Sequence, residues 1–144
     1  MRTTSSAKAI ILDDYNKMLV LTRSDTHPTQ PLKPDLPGGL IEDGEEPRAA
    51  LSREILEETG LVIDREALKL VYSATEAWEH SYVNLLYVIR LSEKEPAIKL
   101  SFEHAAFSWQ PLSELPTIEK DYLTYYQLAF DYLIRNQIIE SIAT

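Results

Sequence analysis

A chain of 144 residues with a formal net charge of −9 is sized for one folded domain and lacks the basic clusters that a sequence-independent grip on nucleic-acid backbone requires. The absence of cysteine excludes disulfides, a thiolate metal site and a cysteine nucleophile. No stretch approaches the roughly eighteen apolar residues of a membrane helix, so the expectation is one cytoplasmic domain over residues 1–144 with no membrane partner.

In chain order, Ala7 to Leu12 and Met18 to Thr22 are apolar, β-branched-rich runs around Asp13-Asp14-Tyr15-Asn16-Lys17, which predicts a hairpin. Residues 27–39 hold four prolines and end in Pro37-Gly38-Gly39, which predicts a loop with a fixed path. Glu46 to Thr59 reads as a helix, with Pro47 at its first position and Gly60 just past its end. Leu68 to Ala74, Ser81 to Leu91 and the shorter Ala105 to Trp109 read as strands, and Ile118 to Ile142 as a long tyrosine-rich helix. This order suggests a mixed sheet with helices on both faces.

The first helix carries an anomaly. Glu54, Glu57 and Glu58 crowd its last turns, where the backbone's partial negative charge disfavours each anion by roughly 0.3–1 kcal/mol. At about 100° per residue, Glu58 lies about 40° from Glu54 and Glu57 about 60° to its other side, so the three share one stripe. Ala49, Leu51, Ile55 and Leu56 form the expected buried side, and Arg53 lies one turn before Glu57. A solvated acidic face normally mixes signs and keeps acids near the N-terminus. A cluster of oxygen ligands for Mg²⁺, or Mn²⁺ in its place, explains both departures.

Gly39, five residues, Glu45, seven residues, then Arg53-Glu54-Ile55-x-Glu57-Glu58-x-Gly60-Leu61 resembles the Nudix box at every defining position. The resemblance implies an α/β fold, an α-β-α sandwich with a mixed β-sheet between helices. It also implies magnesium-dependent hydrolysis of a nucleoside diphosphate linked to another moiety. By position, Glu54, Glu57 and Glu58 match the metal-binding acids, Arg53 the residue that orients them, and Glu45 the glutamate that buttresses the loop–helix junction. Gly38 matches a glycine whose carbonyl reaches a metal, although tight-turn geometry alone also explains it. Glu46 stands at the N-cap, where Ser, Thr or Asp would cap better.

Outside the box, Glu103 matches an acid that serves related proteins as general base or further metal ligand, and the proton acceptor is expected to be Glu54 or Glu103. Arg23 stands where a phosphate contact is frequent, with a salt-bridged surface arginine as the alternative. Trp109 is expected in the core, and His80 and His104 on the surface outside the catalytic set. Trp78, Tyr72 and Tyr82 are candidates to stack on a base. The long helix carries apolar residues on more than one side, which raises a homodimer as an expectation.

Three function classes remain: a pyrophosphohydrolase of small nucleotides, a non-catalytic nucleotide-binding module of the same fold, and other chemistry such as RNA 5′-end hydrolysis or isomerisation. No box acid is missing, the acidic charge disfavours long RNA, and the lack of cysteine disfavours thiol-dependent isomerisation. The proline that commonly follows the box by about fifteen residues in ADP-ribose-specific members is replaced here by Glu76. The expected substrate is therefore a nucleoside triphosphate cleaved to monophosphate and pyrophosphate, with ADP-ribose or a sugar nucleotide as the alternative.

Overall fold

The computed structural model describes residues 3–28, 31–77, 80–112 and 124–138. Strands β1 (Thr3–Leu12) and β2 (Lys17–Arg23) form the expected hairpin. Its turn is held by Asp13, whose Oδ1 accepts from the backbone N–H groups of Tyr15 at 2.9 Å and Lys17 at 2.8 Å. The proline-rich loop contains two short strands, β3 (Pro34–Asp35) against β2 and β4 (Gly38–Leu40) against β1. Their brevity hid them in the sequence.

Helix α1 (Pro47–Thr59) is followed by a 3-10 turn, Arg65–Ala67, and then by β5 (Lys69–Ala77) and β6 (Ser81–Arg90), an antiparallel pair. Strand β7 (His104–Pro111) extends beyond the expected Ala105–Trp109 and pairs with β2. The last described element is α2 (Thr124–Arg135); the rest of the expected Ile118–Ile142 helix lies largely outside the described residues. The side chains of Tyr125, Tyr126, Leu128 and Phe130 are also outside them, and with these the surface on which the dimer expectation rests.

Strand order is β3-β2-β1-β6-β5, with β4 on β1 and β7 on β2. β1 runs parallel to β6 along its whole length, whereas the other pairs are antiparallel, so the sheet is mixed. Successive side chains on a strand point to opposite faces, and β1 serves two cores accordingly. Ala7, Ala9 and Ile11 pack with Leu51 and Ile55 of α1, while Ile10 and Leu12 pack with Ala129 and Leu133 of α2. Burial on both faces is why the strand runs apolar from Ala9 to Leu12 instead of alternating. The result is the α-β-α sandwich. Among the described residues no helix is long and apolar enough to cross a membrane.

One glycine locks β4 in place. Gly38 has φ +133°, and a Cβ there would stand 2.1 Å from the carbonyl oxygen of Ala7. No side chain fits so close to a neighbouring strand, and the backbone angle itself favours glycine.

A candidate metal-dependent active site

Helix α1 delivers the acids, and its ends fix their depth. Glu46, in extended conformation, accepts from the Ala49 N–H at 3.1 Å, so the longer side chain performs the cap that a shorter residue was expected to do better. At the other end Gly60 adopts φ 76° and donates to the Leu56 carbonyl. The carbonyls of Glu58 and Thr59 accept from the N–H groups of Ser101 and Lys99, at 3.3 and 2.8 Å. These bonds satisfy the orphan carbonyls of Leu56, Glu58 and Thr59. They also bring the segment ahead of β7, and with it Glu103 and His104, beside Glu58.

The buried stripe of α1 is Leu51, Ile55, Glu58 and Thr59, with Ala50. This is the i, i+4, i+7, i+8 pattern of a core-facing helix, with a glutamate in one of its core positions. Leu56, expected on the buried side, is half exposed, because the buried face is rotated toward Glu58. The three acids therefore differ in depth: Glu57 is exposed, Glu54 half-buried and Glu58 only 2% exposed.

Glu54 and Glu58 line a cavity of about 590 Å³ together with Gly38, Gly39, Glu103, His104 and the cationic side chains of Lys8 and Arg23; Glu57 lies outside it. Arg53 braces the acids from the helix. It donates from Nε and a terminal nitrogen to the two oxygens of Glu45, at 3.0 and 2.8 Å, and contacts Glu54 at 3.1 Å and Glu57 at 3.4 Å. Such a two-pronged contact fixes direction as well as charge. The hydrogen bond from Arg53 holds the Glu45 carboxyl below its ordinary range, and Glu45 in turn accepts from the Glu42 N–H at 2.9 Å. Burial raises the Glu54 pKa; Arg53 opposes the shift, and the neighbouring charges of Glu57 and Glu103 add to it. Burial pushes Glu58 to about 8, although the ammonium of Lys8 and the Gly38 N–H favour its charged form.

Gly39 stands under Glu54. A Cβ there would lie 2.8 Å from the Glu54 carboxyl carbon and 3.0 Å from each oxygen. Gly39→Ala is expected to displace this carboxylate, the free end of a side chain, and leave the backbone in place. Turnover should fall about 10- to 100-fold, since about 1 Å of misplacement carries costs of that order. Thermal melting should move by no more than a few degrees. A variant as active as the parent would show that the Glu54 position is unimportant.

Beneath the acids lies a charge network that sequence reasoning missed. Asp35, 3% exposed, faces Lys8 Nζ at 3.2 Å, Arg23 Nε at 3.3 Å and His104 Nε2 at 3.4 Å. Burial alone would raise its pKa, but Lys8, the His104 hydrogen bond and Arg23 together outweigh burial and hold the carboxyl well below the usual range. Lys8 also donates to the carbonyls of Leu36 at 3.1 Å and Gly38 at 3.0 Å, so the Gly38 oxygen expected to reach a metal accepts here from an ammonium. The Gly38 N–H donates to Glu58 Oε1 at 3.1 Å.

Two expectations are corrected. His104 is buried at 6% exposure, because Asp35 and Glu58 give its ring polar neighbours inside the protein. Arg23 makes the salt bridge of its alternative reading, but buried on the cavity wall and not at the surface. The available sequence signal for the network was weak: one lysine in an apolar strand and one aspartate among prolines.

Trp109 is partly buried against the α1-side core, as expected. Tyr72 packs on the other core with its ring 5.1 Å from that of Tyr132, and Tyr82 meets His80 at 4.3 Å; neither lines the acidic cavity. Trp78 lies outside the described residues.

No curated protein matches the sequence. Solved structures share the fold. A MutT protein from Methanosarcina mazei Go1 superposes with TM-score 0.79 at 24% identity, over 94% of this chain and 95% of its own. A MutT NUDIX hydrolase from Burkholderia pseudomallei gives 0.71 at 22% identity, over 91% of this chain and 98% of its own. The NUDIX domain of Shewanella oneidensis NrtR, cocrystallised with ADP ribose, gives 0.71 at 18% identity, over 96% of this chain and 90% of its own. The family model described as NUDIX domain matches residues 2–130. With that match over most of its length, and with Glu54 and Glu58 of the box lining one cavity, the chain belongs to the NUDIX domain family and is a Nudix hydrolase, an enzyme acting on phosphoric anhydrides.

Proposed function

We propose that this hydrolase is a cytoplasmic, Mg²⁺-dependent pyrophosphohydrolase of small nucleotides, cleaving nucleoside triphosphates to monophosphate and pyrophosphate. The observation that carries the reading is Glu58: its Oε2 is buried with no hydrogen-bond partner among the described residues, in a cavity shared with Glu54 and Glu103. An unpaired buried carboxylate oxygen is costly, and a divalent ion is a partner that such a donor set suits. We assign Glu54, Glu57, Glu58 and Glu103, with the Gly38 carbonyl, to holding that ion, Mn²⁺ being a possible substitute.

When bound, the ion supplies neutralisation of the phosphate oxygens and a lowered pKa for an attacking water. The remaining work belongs to the chain's own residues. Arg53 keeps Glu54 and Glu57 in register, and Arg23, on the cavity wall, is assigned to a substrate phosphate. The proton acceptor is whichever of Glu54 and Glu103, both lining the cavity, does not ligate the ion directly.

A second reading, ADP-ribose or sugar-nucleotide hydrolysis, draws on the likeness to the domain cocrystallised with ADP ribose. Product chromatography across triphosphates, ADP-ribose, sugar nucleotides and dinucleoside polyphosphates separates the two. The expected outcome is monophosphate plus pyrophosphate with Mg²⁺ and nothing in chelator. A much higher kcat/KM for ADP-ribose or a sugar nucleotide than for every triphosphate would establish the second reading, and nucleotide binding without turnover would establish a binding module.

A further inference from the structure

We propose that His104 supplies a nitrogen ligand, through Nδ1, to a divalent-ion position shared with Glu58 and Glu103, and that this position prefers transition-metal ions to Mg²⁺. The inference deepens the functional reading above and rests on its acidic cavity being a metal site.

The His104 ring is held from behind. Its Nε2 lies 3.4 Å from Asp35 Oδ2, and a carboxylate paired with the cations of Lys8 at 3.2 Å and Arg23 at 3.3 Å accepts, so Nε2 is assigned the hydrogen. Nδ1 is thereby left with its lone pair facing Glu58 Oε2 at 3.9 Å. Both atoms are buried, and neither has a hydrogen-bond partner among the described residues. A separation of 3.9 Å is too long for a hydrogen bond between them. It is less than twice the metal–ligand length of about 2.1 Å, so one ion can touch both.

Glu103 completes the group: one ligand atom each from Glu58, Glu103 and His104 lie within 4.8 Å of one another. The Asp35 carboxylate behind the ring is the partner a metal-bound imidazole ordinarily has, fixing its tautomer and orientation.

The donor set decides the preference. Oxygen ligands alone suit Mg²⁺, which keeps much of its water; an imidazole nitrogen suits Zn²⁺, Ni²⁺ and Co²⁺, and Mn²⁺, at the weak end of that series, still accepts it more readily than Mg²⁺ does. A site of two carboxylates and one imidazole therefore gains most with the transition-metal ions.

Pulsed electron paramagnetic resonance of the Mn²⁺-loaded full chain reads the bond directly. The expected spectrum shows coupling to one directly bonded ¹⁴N, which disappears in His104→Ala and survives in His27→Ala, a residue on the same cavity wall. Calorimetric affinities for Mn²⁺ and Co²⁺ should fall about 10- to 100-fold in His104→Ala, while that for Mg²⁺ falls no more than about threefold. Absence of ¹⁴N coupling in the parent, or equal losses for Mg²⁺ and Mn²⁺, would overturn the proposal. Where His104→Ala does not fold, His104→Asn decides: Mn²⁺ bound without the coupling supports the assignment, and a retained coupling overturns it. None of these readings needs a substrate. A chain that hydrolyses nothing but shows the coupling would refute the proposed function and leave the nitrogen ligand standing.

Discussion

Glu58→Gln is expected to lower kcat by more than about 100-fold while the protein remains folded. The amide has nearly the shape of the carboxyl and can still accept from the Gly38 N–H through its oxygen. It cannot supply the negative ligand assigned to the ion, and losing a direct ligand should exceed the roughly 10- to 100-fold cost of losing a supporting contact. Stability in chelator should move the other way. Burial raises the Glu58 pKa from 4.5 to about 8, so the folded state binds a proton more tightly than the unfolded chain does. That contribution is fully present below pH 4.5 and is lost as pH rises to about 8, a change of up to a few kcal/mol. Parental melting temperature, followed in chelator across this window, should fall with a slope that the Gln variant lacks. Adding Mg²⁺ should restore the parent, by about 2.7 kcal/mol at a hundredfold excess over Kd, and do little for the variant. Full Mg²⁺-dependent activity in Glu58→Gln would refute the metal assignment.

Asp35→Asn is expected to cost about 3–5 kcal/mol of stability, the range for breaking a buried ion pair by removing one partner. The substitution leaves the ammonium of Lys8 and the guanidinium of Arg23 close together without their shared anion. For a chain of this size that lowers the melting temperature by roughly 6–20 °C. The sign of the pH dependence is opposite to that of Glu58. A depressed folded pKa adds stability that is present above the unfolded value of 3.8 and is lost as pH falls through the lower folded value. The deficit of the variant should therefore shrink in acid. The double variant Lys8→Met with Asp35→Asn should recover part of the loss, because it removes a stranded charge and keeps the packing. A melting shift below about 2 °C for Asp35→Asn would show that the network carries little stability.

Helix α1 was legible because its signals are local: a proline at its start, a glycine past its end and an apolar period between them. The hairpin and the two strands β5 and β6 were legible for the same reason. The depth of each acid was not. Whether Glu58 faces water or the interior depends on Gly38, Lys8 and His104, which lie 20, 50 and 46 positions away along the chain. The periodicity places Glu58 on one stripe with Glu54 and Glu57, but tertiary contacts decide which edge of the stripe is covered. His104 was misjudged because the base rate for a lone histidine says nothing of the two carboxylates the fold delivers to it.

The parallel pairing of β1 with β6 also orders the events of folding. Ser6 donates to Asn84 Oδ1 at 2.8 Å across 78 positions, and the strands stay in register along all of β1. A growing chain exposes the apolar strand β1 and the whole acid-bearing helix before any of β6 has been made. Closing so long a loop costs entropy before any contact repays it, and folds rich in such pairings form slowly. Ion binding should therefore appear in the same slow kinetic phase as global folding. A peptide restricted to residues 39–61, which holds the complete box but nothing to bury Glu58, should bind divalent ions only weakly.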